Sequence, residues 1–137
     1  MKKVSHEVVV RFRDLDSLGH VNYAEYLTYL EEAFNVLWVE ALAADGKTFD
    51  VLNPGQVTVR SEVYYCAAAL WRQILTVEMW VTSIDGSFFT TAYQILDKQS
   101  RKLLTEASTI QLVTIPGAER NTMPKKIQDA LEAYLKK

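Results

Sequence analysis

The sequence predicts an α+β fold in which one long helix lies against an antiparallel sheet, and three observations carry that reading. From Tyr23 to about Ala44, apolar residues recur at helical spacing. Four alternating segments rich in Val, Ile, Thr, Tyr and Phe follow, with no helical pattern between them. The turns joining these segments are short, so consecutive strands pair antiparallel.

The first element is a strand. Between Val4 and Phe12, the set His6, Val8, Val10 and Phe12 alternates with Glu7, Val9 and Arg11, leaving one face more buried than the other. An acidic, glycine-containing loop leads from there into the helix. The helical stripe is Tyr23, Tyr26, Leu27, Leu30, Phe34, Leu37, Trp38, Ala41 and Leu42, with Glu25, Thr28, Glu31, Glu32 and Asn35 off it. Such a helix is about 30 Å long at a rise of 1.5 Å per residue. Asn22 is the expected N-cap, and Glu25 three positions later completes a capping-box pattern. Asp45-Gly46 ends the helix, and Asn53-Pro54-Gly55 marks a turn.

The later strands are expected over Gln56 to Ala67, Gln73 to Ile84, Ser87 to Leu96 and Leu103 to Thr114. Asp85-Gly86 is a type I′ hairpin signal, and Asp97 to Lys102 forms a polar connection. After Pro116-Gly117, Pro124 suits a helix N1 position, and Ile127, Leu131, Tyr134 and Leu135 give a short amphipathic C-terminal helix. Packing the long helix on the concave side of a curled sheet buries both apolar faces. Tyr64, Trp80 and Thr90 on the outer sheet face point to partial cover by a second copy.

Composition narrows the function classes. With 137 residues, 49% of them hydrophobic, the chain is expected to be one domain, 1–137, with a core that needs neither disulfide nor metal. A net charge of -2 without a basic stripe argues against nucleic acid or an anionic membrane as partner. Cys66 is the lone cysteine, which suits a reducing cytoplasm and the role of a small buried hydrophobe. His6, His20 and Cys66 cannot supply a structural zinc set, so no metal site is expected. Glu7, Arg11, Arg13 and Asp14 interrupt any signal-peptide core after Met1-Lys-Lys, and no run reaches the roughly 18 apolar residues of a membrane span.

The chemistry is expected at the junction of the acidic loop and the long helix. A carboxylate beside a helix N-terminus sets a general base or nucleophile next to unpaired backbone N–H groups, as acyl transfer requires. Spacing alone also matches much of a calcium-binding loop from Asp14 to Glu25. Leu18 at a ligand position, and a strand where a helix should precede the loop, reject that reading.

The segment Asp14-Leu-Asp16-Ser-Leu-Gly19-His20-Val21-Asn22-Tyr23, followed by Tyr26, Tyr29, Glu31 and Ala33, resembles the signature of hotdog-fold acyl-CoA thioesterases of the 4-hydroxybenzoyl-CoA thioesterase type. Its Gly-His-Val-Asn also resembles that of acyl-carrier-protein thioesterases. The resemblance implies a long central helix wrapped by a five-stranded antiparallel sheet, and hydrolysis of acyl-CoA without a cofactor by a homodimer or homotetramer. Asp16 matches the catalytic carboxylate, and the Tyr23 backbone N–H matches the donor that polarises the thioester carbonyl. His20 is expected to orient Asp16 or the water, and Asp14 to support the loop. Gly19, Asn22 and Tyr26 are motif positions near substrate, with Asn22 chiefly the cap, and Arg120 is a candidate for CoA phosphate. Where many relatives have a proline-containing strand followed by Gly-Asp, this chain reads Tyr64-Tyr-Cys-Ala-Ala-Ala-Leu-Trp71-Arg72, which bears on the acyl pocket and pantetheine path. Two alternatives share the fold: an acyl-carrier-protein thioesterase, and a non-catalytic acyl-CoA-binding module.

Overall fold

The computed structural model describes residues 2–44, 55–115 and 123–136. Strand β1 (Val4–Val9) is followed by a 3₁₀ turn at Phe12–Asp14 and helix α1 (Tyr23–Ala44). Strands β2 (Gly55–Tyr65), β3 (Ile74–Asp85), β4 (Phe88–Asp97) and β5 (Leu103–Thr114) come next, then helix α2 (Lys125–Glu132). The five strands form one sheet in the order β1-β3-β4-β5-β2, with every pair antiparallel. Sequential hairpins build its centre, and the two strands that flank α1 in the chain close its opposite edges.

Helix α1 packs towards the β1–β3 side of the sheet and against α2. Leu75, Val77, Met79 and Val81 of β3 are fully buried beneath it, as are Leu30, Ala33, Leu37 and Ala41 of the helix. Burying each large aliphatic side chain contributes about 1.5–3 kcal/mol. Phe34, Trp38 and Phe89 stack with centroids 6.1–6.2 Å apart and planes within 16° of parallel, joining α1 to β4. Against α1, α2 buries Ile127 and Leu131. The Tyr134 hydroxyl donates to Glu40, and burial together with that carboxylate pushes the phenol up to about 12.

Several local expectations shift. The buried face of α1 includes Tyr29 and Ala33, whereas Tyr23 and Leu27 are 73% and 43% exposed. The first strand ends at Val9, because Phe12–Asp14 coils into the 3₁₀ turn. In the β3–β4 hairpin, Asp85 pairs with Phe88, and Gly86 alone of the two loop residues has positive φ, at 60°. That is the pattern of a type II′ turn rather than type I′. Pro124 is the N-cap of α2, one position before the expected N1. Cys66 lies beyond the end of β2 and is exposed instead of buried. Trp80 is half-buried, with the ammonium groups of Lys3 and Lys136 each 5.3 Å from its ring, so it is not a bare apolar patch. The expected breaks at Asp45-Gly46, Asn53-Pro54 and Pro116-Gly117 lie outside the described residues.

Candidate active site

The acidic loop folds on its own polar groups. Asp16 Oδ1 accepts the N–H groups of Leu18 at 2.9 Å and His20 at 3.2 Å. The Asp16 N–H donates to the His20 carbonyl at 2.7 Å, and the Gly19 N–H to the Asp16 carbonyl at 3.1 Å. Such an Asx-type closure is what a short acidic side chain does in a tight loop. Gly19 has φ +79°, yet a Cβ there would meet nothing within 4 Å, so backbone conformation rather than space calls for glycine. Beyond the loop, the Val21 N–H donates to the Ala69 carbonyl at 3.0 Å, tying it to the chain between β2 and β3.

Asn22 caps α1 through its Oδ1, which accepts the Ala24 N–H at 3.0 Å. The reciprocal half of the expected capping box is not made. The Asn22 N–H donates to the Asp14 carbonyl at 2.8 Å, leaving Glu25 no cap donor to accept. Among the described residues the Tyr23 N–H has no acceptor, leaving a free donor at the positive end of the helix.

Beneath the loop lies a buried carboxylate. Asp14 is 1% exposed. Its oxygens accept the Arg11 N–H at 3.0 Å, the Arg11 guanidinium at 3.0 Å and the Tyr29 hydroxyl at 2.7 Å. Burial alone would push this carboxyl up, but the bonds from Arg11 and Tyr29 outweigh it and hold Asp14 below the usual carboxylate range. Burial, followed by the same carboxylate, raises the Tyr29 phenol well above its ordinary value.

Asp16, His20, Tyr23 and Tyr26 line one cavity of about 250 Å³, together with Val21 and Tyr65. Gly19 shapes the loop and Asn22 the helix start, and neither lines the cavity. Arg120 lies outside the described residues. His20 meets Asp16 through its backbone N–H and carbonyl. Tyr26 accepts the Ala69 N–H at 2.9 Å on its hydroxyl, so its ring is fixed in the cavity wall. Tyr65 is a wall residue that the sequence reading passed over. Its hydroxyl donates to the Tyr23 carbonyl at 3.0 Å, and its ring meets Tyr26 edge-on at 5.2 Å. The signal for it was the Tyr64-Tyr65 pair, where the chain departs from the proline-containing pattern.

Asp16, with an exposed side chain, and Tyr23, at the helix N-terminus, thus line the same cavity. The sheet and helix arrangement itself is the hotdog fold, the fold class of thioester hydrolases. The chain belongs to the thioesterase-like superfamily, matching that family over residues 10–131. It is 26% identical to a 1,4-dihydroxy-2-naphthoyl-CoA hydrolase of Synechococcus elongatus over 90% of this chain and 91% of that protein. A solved 1,4-dihydroxy-2-naphthoyl-CoA thioesterase from Synechocystis superposes with a TM-score of 0.80 at 21% identity, covering 95% of this chain and 96% of that one. A Thermus thermophilus thioesterase solved with coenzyme A and Zn has a TM-score of 0.75 at 25% identity, covering 96% and 92%.

Proposed function

We propose that the chain, acting as one domain, hydrolyses an acyl-CoA thioester to the free acid and CoA, with Asp16 as catalytic carboxylate and the Tyr23 N–H as oxyanion donor. The observation that carries this is that Asp16, with an exposed side chain, and Tyr23, whose helix-terminal N–H has no acceptor among the described residues, line one cavity. Water oxygen bonds to the thioester carbon, the C–S bond breaks, and the departing sulfur takes a proton. Asp16 either takes the proton from the attacking water or attacks first to give a mixed anhydride. In both routes the developing oxyanion is held by a donor that needs no reorganisation. His20 lines the same cavity and fixes the Asp16 loop through its backbone.

Coenzyme A as the carrier is supported by the CoA bound to the Thermus relative and by the hydrolase name of the Synechococcus one. The narrower 4-hydroxybenzoyl-CoA type rests on the Asp14 to Tyr23 motif. Self-association into a homodimer or homotetramer is supported by β2, an edge strand with Val57, Val59, Tyr64 and Tyr65 all about half exposed or more. Thiol release from a panel of acyl-CoAs tests the reading. Hydrolysis by the wild type and its loss in Asp16→Asn, with folding unchanged, is the expected result. Full activity in that variant removes Asp16 from the mechanism, and faster release from acyl-carrier-protein thioesters would move the chain to the carrier-protein class.

A further inference from the structure

The side of the sheet that faces α1 changes character from one edge to the other. Its β3 residues are Leu75, Val77, Met79 and Val81, all buried and apolar, and α1 sits towards that half. On β5 the same face carries Thr105, Ala107, Thr109 and Gln111, all buried. Along β2 a register shift between Thr58 and Arg60 keeps Thr58 and Ser61 on one face, opposite Gln111 and Thr109. Between this polar half and α1 lies a second cavity of about 460 Å³, with Leu27, Leu30 and Phe34, and also Glu31 and Asn35, on its helical wall.

Its floor is a connected hydrogen-bond network. Thr91, Tyr93 and Thr109 hydroxyls form a triangle with sides of 2.6, 3.0 and 3.1 Å. Gln111 Nε2 donates to Thr109 at 3.0 Å, and the Thr58 hydroxyl donates to Gln111 Oε1 at 2.8 Å. Two capacities remain unused. Nε2 carries two hydrogens, and among the described residues only one of them has an acceptor. Gln56 Oε1, on the same cavity, is buried and has no donor among the described residues. Burying an amide group unpaired costs free energy, so a floor of this kind suits a ligand that completes the bonds.

We propose that this cavity receives the distal part of the acyl group and selects acyl groups that carry a hydroxyl or carbonyl oxygen. Gln111 Nε2 donates to that oxygen, and Gln56 Oε1 accepts from it when it is a hydroxyl. The inference rests on the thioesterase reading above and names its substrate class. From Tyr23 to Leu30 the helix rises about 10 Å at 1.5 Å per residue, so the two cavities lie about two turns apart along α1. Leu27, Leu30 and Phe34 bury the apolar part of the same group.

The test uses two matched pairs: 8-hydroxyoctanoyl-CoA with octanoyl-CoA, and 6-hydroxy-2-naphthoyl-CoA with 2-naphthoyl-CoA. For at least one pair, kcat/KM should favour the oxygenated member by about ten-fold or more, the worth of one buried hydrogen bond. Gln111→Leu should bring that ratio close to one. A Thr58→Val, Gln111→Leu double variant, which leaves no orphaned hydroxyl, provides the same comparison if the single variant folds poorly. An unsubstituted preference in the wild type, or an unchanged ratio in folded Gln111 variants, overturns the inference and leaves thioester hydrolysis standing. If no thioester releases thiol, the hydrolase reading fails, and calorimetric titration of the same pairs decides selectivity. Equal affinity within both pairs then overturns it.

Discussion

The Tyr29 hydroxyl donates to Asp14 Oδ2 at 2.7 Å, joining the second turn of α1 to the turn that precedes the Asp16 loop. Both groups are buried, so neither can exchange this bond for water. The Asp14 backbone carbonyl meanwhile takes the Asn22 N–H, so one residue anchors the loop at its entry and its exit.

This anchor makes stability depend on pH in the acid range. Asp14 titrates below its ordinary value in the folded chain, so its contribution is complete above the unfolded pKa of about 3.9 and is lost as pH falls through the lower, folded value. Denaturant titrations from pH 6 down to pH 2 should show wild-type stability falling below about pH 4, with a shallower fall in Asp14→Asn. Tyr29→Phe should cost about 1–2 kcal/mol at neutral pH.

In the proposed mechanism Asp16 has two separable jobs. Its Oδ1 closes the loop on the Leu18 and His20 amides, a role an asparagine carbonyl can keep. Asp16→Asn should therefore retain the wild-type melting temperature and lose turnover by about 10²–10⁴-fold. Asp16→Ala should lose turnover too, with about 1 kcal/mol of stability as well. Equal melting temperatures for the two variants would show that the loop does not depend on the side chain.

Gly19 offers a test of conformation without packing. A Cβ there has open space, but φ of +79° strains any L side chain. Gly19→Ala should cost about 1–2 kcal/mol and reduce turnover, because the strain relaxes through the loop that presents Asp16. Circular dichroism melts beside thiol-release assays measure both effects.

Asn22→Ala should lower stability by about 1 kcal/mol through the lost cap at Ala24. Glu25→Gln should leave stability almost unchanged, because the reciprocal capping bond that would use Glu25 is absent. A loss above about 1 kcal/mol in Glu25→Gln would restore the capping box.

The stack of Phe34, Trp38 and Phe89 holds α1 over β4. Phe89→Ala should cost about 3–5 kcal/mol by opening a cavity at a fully buried aromatic position. Urea unfolding monitored by tryptophan fluorescence reads this directly, since Trp38 is in the stack.

By itself the sequence determined the strand and helix order, the start of α1 and the loop that holds Asp16. Those features follow from local periodicity and capping chemistry, which act between residues a few positions apart. The hairpin type and the exact buried face of α1 were less legible. Tyr23 and Leu27 are apolar at helical spacing, yet they are exposed because α1 lies towards the β1–β3 side of the sheet. Only the tertiary structure decided which groups share a cavity. It brings Tyr65 beside Tyr23 and Tyr26 across 42 and 39 positions of chain, and it lines up Thr58, Thr109 and Gln111 across two strands. Strand pairing order and register set those neighbours, and they depend on how the whole apolar surface is buried rather than on any local pattern.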